Sequence, residues 1–362
     1  MKKVAIIGAG ISGLSCALEL KRHGITPMIF ERRSRIGEVM EYPTLMLRMI
    51  IKSAINPVKY LKKEFNLEIK PLFPLKKLTL ISQNQRKFIY ANHGSIFLRG
   101  SEQTSLENQI SEQLGLPVYF DHYIKLDDIR YEFDHIVVAT GDNAIGIKLG
   151  VWETTFFALN RVSTIVGDFE TKSVISWFDT RYTKNAFAYL IPESPKKAKL
   201  CKILNNSTPS DLEYYWKEFL SSNNFSFDII ETKDMEHTCG FVYPVQLGNV
   251  YFVGNCAGTT DSLIGVGAFR AIQSGFFAAR SIINQIDYNT LMKPIIGEIR
   301  ALNEFRKVFN TFDNDSYDKL VSTLGFPVIK QIVYNNPFFK LAYGEFVAKG
   351  YNKLVYGSRK LK

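Results

Sequence analysis

Gly8, Gly10 and Gly13 stand in G-x-G-x-x-G spacing, with Ile11 and Ser12 between the last two, and Glu31 closes the next apolar run. In such a pattern the first glycine permits a tight turn and the second lets backbone approach a pyrophosphate. The third lets a helix pack closely on a strand. A helix opening there offers N–H groups and a positive dipole end to phosphates. A carboxylate at Glu31 is placed to accept hydrogen bonds from a ribose. Arg32 begins a basic run, Arg32-Arg33-Ser34-Arg35, that fits either the adenosine phosphates or a solvated loop. Arg99, just ahead of a helix-forming run, can reach a phosphate as a forked donor. Far downstream, Gly254 to Gly267 is a second glycine-rich segment. Asn255, Gly265, Gly267 and Ala268 there sit at the mouth of another helix, a second place for a phosphate or ribose.

The elements that position these residues follow from pattern. Val4–Ile7 is the short apolar run of a buried parallel strand. Leu14, Ala17, Leu18 and Leu20 continue at helical spacing until Gly24, and Pro27–Phe30 is a second strand. Strand, helix, second strand and acid fall in register, which predicts dinucleotide binding. Leu78–Ser82 and Lys87–Tyr90 read as strands around a turn at Asn84. Ser101 reads as the cap of a helix ending near Gly115 and Pro117. Val118–Tyr123 and Phe133–Thr140 are the next strands, the latter ending in Ala139-Thr140-Gly141.

From Val151 to about Pro244 strand-like segments dominate: Thr154–Leu159, Arg161–Val166, Ser173–Phe178, Ala186–Ile191 and Lys199–Leu204. One helix, Asp211–Leu220, interrupts them, opened at Ser210 or Asp211. Val250–Val253 then returns as a buried strand before a small-faced helix over Ala268–Ile283. From Tyr288 the chain reads as helices broken at Pro327 and Pro337. The organisation expected is an α/β chain with a discontinuous Rossmann-like domain (1–150 and 245–288). Inserted in it is a mainly antiparallel sheet domain (151–244), and a helical region (289–362) follows.

Composition sets bounds. At 362 residues, 46% hydrophobic and 22% charged, the chain is of ordinary globular make-up and long enough for two domains. Aromatics at 13% fit large packing surfaces or an apolar pocket equally. The net charge is +10, and residues 290–362 hold twelve Lys/Arg against six Asp/Glu. With Phe305, Val308, Phe309, Phe312, Phe338, Phe339, Phe346 and Val347 between lysines at 307, 340, 349 and 353, that region fits a membrane-facing surface. It also fits helices docked on a core. No run of 18 apolar residues predicts a spanning helix, and the glycine spacing accounts for the apolar start better than an export signal does. Cys16, Cys201, Cys239 and Cys256 form no C-x-x-C pair and the five histidines sit apart, so neither a metal site nor a disulfide frame is expected.

Three motifs in order resemble the flavoproteins built like p-hydroxybenzoate hydroxylase. They are Gly8 to Arg32, Arg99 before its helix, and Gly254-Asn255-Cys256-Ala257-Gly258 running to Gly265 and Gly267. Ala188–Pro192 looks like the aromatic-x-x-Pro strand that these proteins set beside the flavin ring. The resemblance implies FAD as cofactor, held by Gly8, Gly10, Ile11, Ser12, Gly13, Glu31, Arg32, Arg99, Asn255, Gly265, Gly267 and Ala268. The short length, apolar sheet domain and basic tail are most similar to the geranylgeranyl reductase branch. That implies reduction of isoprenoid C=C bonds in a lipophilic substrate, with NAD(P)H or a ferredoxin-like protein as electron donor. The scattered cysteines fit reduced thiols in a cytoplasm, the basic tail fits a position peripheral to the inner face of the membrane, and no nucleic-acid partner is expected. The alternative is an FAD-dependent monooxygenase or dehydrogenase of another lipophilic or aromatic compound.

Two departures stand out: Asn255 where the family carries aspartate, and Ser262 where it carries proline. The hydroxylases' D-G-x-x-S-x-x-R fingerprint is absent, its place taken by Ala139 to Asn143. No second strand–glycine–helix unit lies between 145 and 250, so a resident NAD domain is not expected. Tyr189 and Tyr243 are candidate proton donors by position alone; no catalytic residue is named by the sequence.

Overall fold

The computed structural model describes residues 2–37, 41–49 and 56–326. The chain opens with β1 (Val4–Ile7), α1 (Ile11–Arg22) and β2 (Met28–Phe30). Then come β3 (Tyr42–Leu47), α2 (Pro57–Phe65), β4 (Phe73–Ser82), β5 (Arg86–Arg99), α3 (Leu106–Leu114) and α4 (Leu126–Ile129). β6 (His135–Val138), α5 (Ala144–Lys148), β7 (Trp152–Val166), β8 (Ser173–Phe178), α6 (Thr180–Thr183), β9 (Ala188–Pro192) and β10 (Lys197–Asn205) make up the middle. The remainder is α7 (Pro209–Ser221), β11 (Asp228–Val242), β12 (Gln246–Leu247), β13 (Val250–Phe252), a 3-10 turn (Gly254–Ala257), α8 (Ala268–Asn284), α9 (Tyr288–Phe309) and α10 (Asn314–Gly325).

The four residues of β1 are all buried, so the strand belongs at the middle of a sheet covered on both faces. It lies between β2 and β6 in a five-stranded sheet ordered β12-β13-β6-β1-β2, parallel except for β12. Helices α1 and α8 pack against each other so closely that a Cβ on Gly275 would lie 2.2 Å from the Ser12 carbonyl oxygen. Phe65 of α2 stacks on Phe276 of α8 at 4.5 Å.

The second sheet has eight strands, ordered β11-β7-β10-β9-β8-β4-β5-β3, antiparallel except where β4 meets β8. Three of its strands come from 42–99, ahead of the segment to which the sequence reading assigned the sheet. They join because the alternating apolar residues of β4 and β5 bury one face against α9 and α10 rather than against the first sheet. Leu212, Trp216 and Phe219 of α7 seal the opposite face at the far end.

Some expectations are corrected in detail. Ser105, not Ser101, caps α3, its hydroxyl accepting from the Asn108 N–H; Ser101 is held instead by the Glu41 carboxylate. Thr208 caps α7 in a reciprocal box with Asp211, and Pro209 sits at the first helical position. Val118–Tyr123 is not a strand; its one β contact is a parallel bridge between Phe30 and Tyr119. The expected helix breaks at Pro327 and Pro337, and Phe338, Phe339, Phe346 and Val347 with their neighbouring lysines, lie outside the described residues. Phe305 and Phe309 pack toward Leu75, Val174, Ile191 and Leu263, so this half of the tail docks on the core. Among the described residues no helix is long and apolar enough to cross a membrane.

Candidate functional site

The C-terminal ends of β1, β6 and β13 meet at one crevice, where an open parallel sheet places a ligand. Gly8 leaves β1 at φ +109°, a conformation side chains rarely adopt, and a Cβ there would lie 2.3 Å from the Ala139 carbonyl oxygen. A Cβ on Gly13 would lie 2.1 Å from the Gly8 carbonyl oxygen. These two glycines are required by the chain itself. Gly10 is different. Its φ of −79° suits any residue, and a Cβ built there meets nothing within 4 Å. The described residues leave the space in front of Gly10 open, at the start of a helix with no side-chain cap among them and no acid in its first turn. An uncapped helix N-terminus facing open space is a cradle for an anionic group.

Glu31 is buried at the end of β2. Its Oε2 accepts the Ala9 N–H (2.8 Å) and its Oε1 the Arg33 N–H (3.1 Å), so the carboxylate fixes the glycine turn while each oxygen keeps a lone pair. Arg32 is exposed and lies 3.8 Å from Asp142. Arg99 ends β5 with its Nε on Glu107 Oε1 (2.6 Å) and its guanidinium 5.6 Å from the Tyr42 ring centroid. Burial opposes its charge, but Glu107 and Tyr42 outweigh that and hold its pKa above the ordinary arginine value. Its two terminal nitrogens have no acceptor among the described residues.

The second glycine segment touches the first. A Cβ on Gly254 would lie 2.5 Å from Ser12 Oγ, and the Gly254 N–H donates to Ser274 of α8. Cys256 Sγ accepts from the Gly141 N–H (3.1 Å) and lies 3.2 Å from Thr140 Oγ1, tying the 3-10 turn to the end of β6. Burial pushes its thiol up to about 11, so it stays protonated and serves as packing. Asn255 is exposed to the crevice, and its Oδ1 accepts from the Thr260 hydroxyl at 2.5 Å. With that oxygen held, the amide nitrogen is the group Asn255 has left to offer, a donor where aspartate would be an acceptor.

Beyond it, Asp261 does the work of the missing proline. Its buried Oδ1 accepts the N–H groups of Leu263 (3.0 Å) and Ile264 (2.8 Å), and Ser262 Oγ donates to Asn303 of α9 (2.9 Å). Burial raises the Asp261 pKa and Arg270 works against that rise. The loop delivers exposed Gly265, and then Gly267 and Ala268 at the uncapped start of α8. A cleft opens there, lined by Leu45, Met46, Leu47, Val266 and Phe269. Tyr189 is packed into the apolar cluster beyond, and burial raises its pKa well above 10. Tyr243 is 69% exposed on the outside.

Thus Gly8, Gly10, Ile11, Ser12, Gly13 and Glu31 form one continuous turn, and Gly254 and Asn255 adjoin it. Gly265, Gly267 and Ala268 mark the other end of the crevice. Sequence reasoning did not single out Thr260, Asp261, Tyr42 or Glu107. The aspartate two residues before an apolar pair, in a glycine-rich loop, is an Asx-turn signal that could have found Asp261. Nothing in the spacing pairs Glu107 with Arg99.

Residues 2–173 match the family described as pyridine nucleotide-disulphide oxidoreductase, a little under half of the chain. In place of a second dinucleotide unit, residues 152–242 here carry antiparallel strands of the large sheet. Over 41 residues the chain is 49% identical to the small chain of NADPH glutamate synthase from Escherichia coli and from Halomonas elongata. That stretch is 11% of this chain and 9% of the length of those relatives. Solved structures share the fold across nearly the whole chain. A geranylgeranyl bacteriochlorophyll reductase-like protein from Thermoplasma acidophilum has a TM-score of 0.73 at 14% identity, covering 100% of this chain and 99% of its own. A flavin-dependent brominase gives 0.66 at 12% identity over 97% and 99%. A flavin-dependent monooxygenase solved with FAD and substrate gives 0.59 at 14% over 95% and 72%.

Proposed function

We propose, from the premise that this chain is an FAD-dependent oxidoreductase of the p-hydroxybenzoate hydroxylase fold, that it reduces carbon–carbon double bonds of an apolar, isoprenoid-like substrate. The observation that carries the substrate class is the apolar wall beside Gly267. Leu45, Met46, Leu47, Val266 and Phe269 line the cleft, with Arg270 as its one charged neighbour among the described residues, and Leu47 backs onto the buried cluster of Leu75, Val174, Ile191 and Leu263. Burial of hydrocarbon on such walls contributes about 25 cal/mol per Å².

The residues fit the cofactor. The open cradle at Gly10, with the first-turn N–H groups of Ile11, Ser12 and Gly13, suits a pyrophosphate, and the Glu31 carboxylate suits the adenosine ribose. Arg99 offers its terminal nitrogens to phosphate from the side, Arg32 lines the adenosine end, and Asn255 donates to a ribityl hydroxyl. Gly265, Gly267 and Ala268, at the positive end of α8, would hold the ring end of the cofactor. When bound, the flavin supplies hydride transfer. The chain supplies orientation, an apolar enclosure and, at Tyr189, a phenol that keeps its proton because burial disfavours the phenolate. Electrons reach the site from NAD(P)H docked transiently or from a ferredoxin-like carrier.

The test is anaerobic reduction of the purified flavoprotein by light, followed by addition of a polyprenyl lipid. Reoxidation by the lipid, with only slow reoxidation by air, is the expected result. Oxygen consumption stoichiometric with NAD(P)H, and no reaction with the lipid, would replace this reading with a monooxygenase.

The same substrate class places the protein at the inner face of a membrane, attracted by the basic residues of 290–362. Cosedimentation with liposomes containing anionic lipid is expected, and raised salt is expected to reverse it. Binding to neutral liposomes alone would contradict this.

A further inference from the structure

We propose that Arg306 anchors an oxyanion site, taking a phosphate or carboxylate group at the inner face of the eight-stranded sheet. Arg306 is 2% exposed on α9. Its Nε and one terminal nitrogen donate to Asn310 Oδ1 (2.8 and 2.6 Å), and that terminal nitrogen also donates to the Asn185 carbonyl oxygen. Its guanidinium lies 4.7 Å from the Phe156 ring centroid on β7. Every one of these partners is neutral. Its other terminal nitrogen has no acceptor among the described residues.

The chain handles its other buried cations in two ways. Arg270 and Lys199 have acids beside them: Asp261 with Glu298, and Glu193 respectively. Lys202 pairs with no acid among the described residues and sheds its proton, because burial and then Arg161 lower its pKa to about 6 against the weaker pull of Glu213 and Glu218. Arg306 does neither. Burial lowers its pKa only to about 10, and the ionisable groups it feels are Tyr317 and Cys239, not an acid. A buried charge without a counter-charge is costly, and a ligand that brings the counter-charge removes that cost. A guanidinium with one prong committed and the other open matches an oxyanion, which takes such a fork.

Arg306 lies beside the loop that bounds the cleft. Asn303, one turn before Arg306 on α9, accepts from Ser262 in the loop that bounds the cleft. Cys239, which adjoins Arg306, lies with its Sγ 3.5 Å from the Asp261 carbonyl oxygen of that loop. The inference goes beyond the proposed reaction and stands without it.

The experiment titrates sodium phosphate against sodium chloride at constant ionic strength and follows thermal unfolding. FAD is kept saturating, so that the cradle at Gly10 is filled. The expected result is a saturable rise of roughly 3–5 °C for the natural chain, and none for Arg306→Met. Asn310→Asp places a carboxylate on the guanidinium. It should raise the midpoint without phosphate and abolish the response, and it decides the matter if Arg306→Met does not fold. An equal rise in the natural chain and Arg306→Met overturns the proposal. So does no rise in the natural chain. If FAD does not bind at all, the difference between natural chain and Arg306→Met still reads out the anion. Repeating the titration with a short-chain phosphatidic acid below its micelle concentration separates the sources. Tighter binding than inorganic phosphate assigns a lipid headgroup, weaker binding a free anion, and both support the site.

Discussion

Gly10→Val is expected to fold with the stability of the natural chain and to lose FAD affinity by at least about 100-fold, near 3 kcal/mol. The first half follows from the open space around Gly10 and its ordinary backbone angles. The second follows because the added methyl groups would occupy the space a pyrophosphate needs. Gly13→Ala provides the contrast, since its Cβ would lie 2.1 Å from the Gly8 carbonyl oxygen and the helix would have to leave the strand. That variant should unfold at lower urea whether or not FAD is present. Glu31→Ala should fall between the two, loosening the turn at Ala9 and weakening FAD by roughly 10- to 100-fold. Flavin fluorescence quenching and urea unfolding measure both quantities. Full FAD affinity in Gly10→Val would remove the cradle from the cofactor argument.

Lys202→Met is expected to raise the unfolding free energy by about 2–4 kcal/mol at pH 7. Lys202 is fully buried in β10 under α7. Its amine has no hydrogen-bond partner among the described residues, lies 5.5 Å from the Tyr215 ring centroid, and is directly across the strands from Arg161. Burial first and Arg161 second lower its pKa to about 6, against an ordinary 10.5 when unfolded. Between those values the unfolded chain binds the extra proton. The natural chain therefore gains stability as pH rises through that window, and below pH 6 it carries the whole cost of the buried charge. The advantage of Lys202→Met should shrink accordingly between pH 6 and pH 10. Urea midpoints at pH 6, 7 and 9 test it. A less stable variant at pH 7, or an advantage that grows with pH, would show that Lys202 finds a partner in solution.

The parts of the molecule that were legible in the sequence are those where local pattern and tertiary role coincide. The run from Val4 to Glu31 reads correctly because a fully buried strand, a glycine turn and a two-faced helix each have their own signature. The segment from Gly254 to Ala268 reads for the same reason. β11 does not: ten of its first eleven residues are exposed or polar, because among the described residues it is an edge strand paired only with β7. β3 was hidden because its six residues mix half-buried and buried positions without alternation. Arg306 looked like one more charge in a basic tail, and only the packing of α9 on the sheet shows that it faces inward. Asn255 was legible as a departure from the family, but the Thr260 hydroxyl that fixes its orientation was not.

The parallel pairing of β4 with β8 also has a consequence for how the chain is made. β3, β4 and β5 leave the ribosome well before residues 173–178 exist. At common synthesis rates the gap is roughly 5–20 s. Through that interval the β4 edge presents a bare row of N–H and C=O groups with no neighbour, the template that strays into pairing with other chains. The strand that ends this exposure is β8. The sheet therefore closes in time from its middle, where two separated stretches of chain meet, and the nascent protein is most in need of a chaperone before residue 178 has emerged.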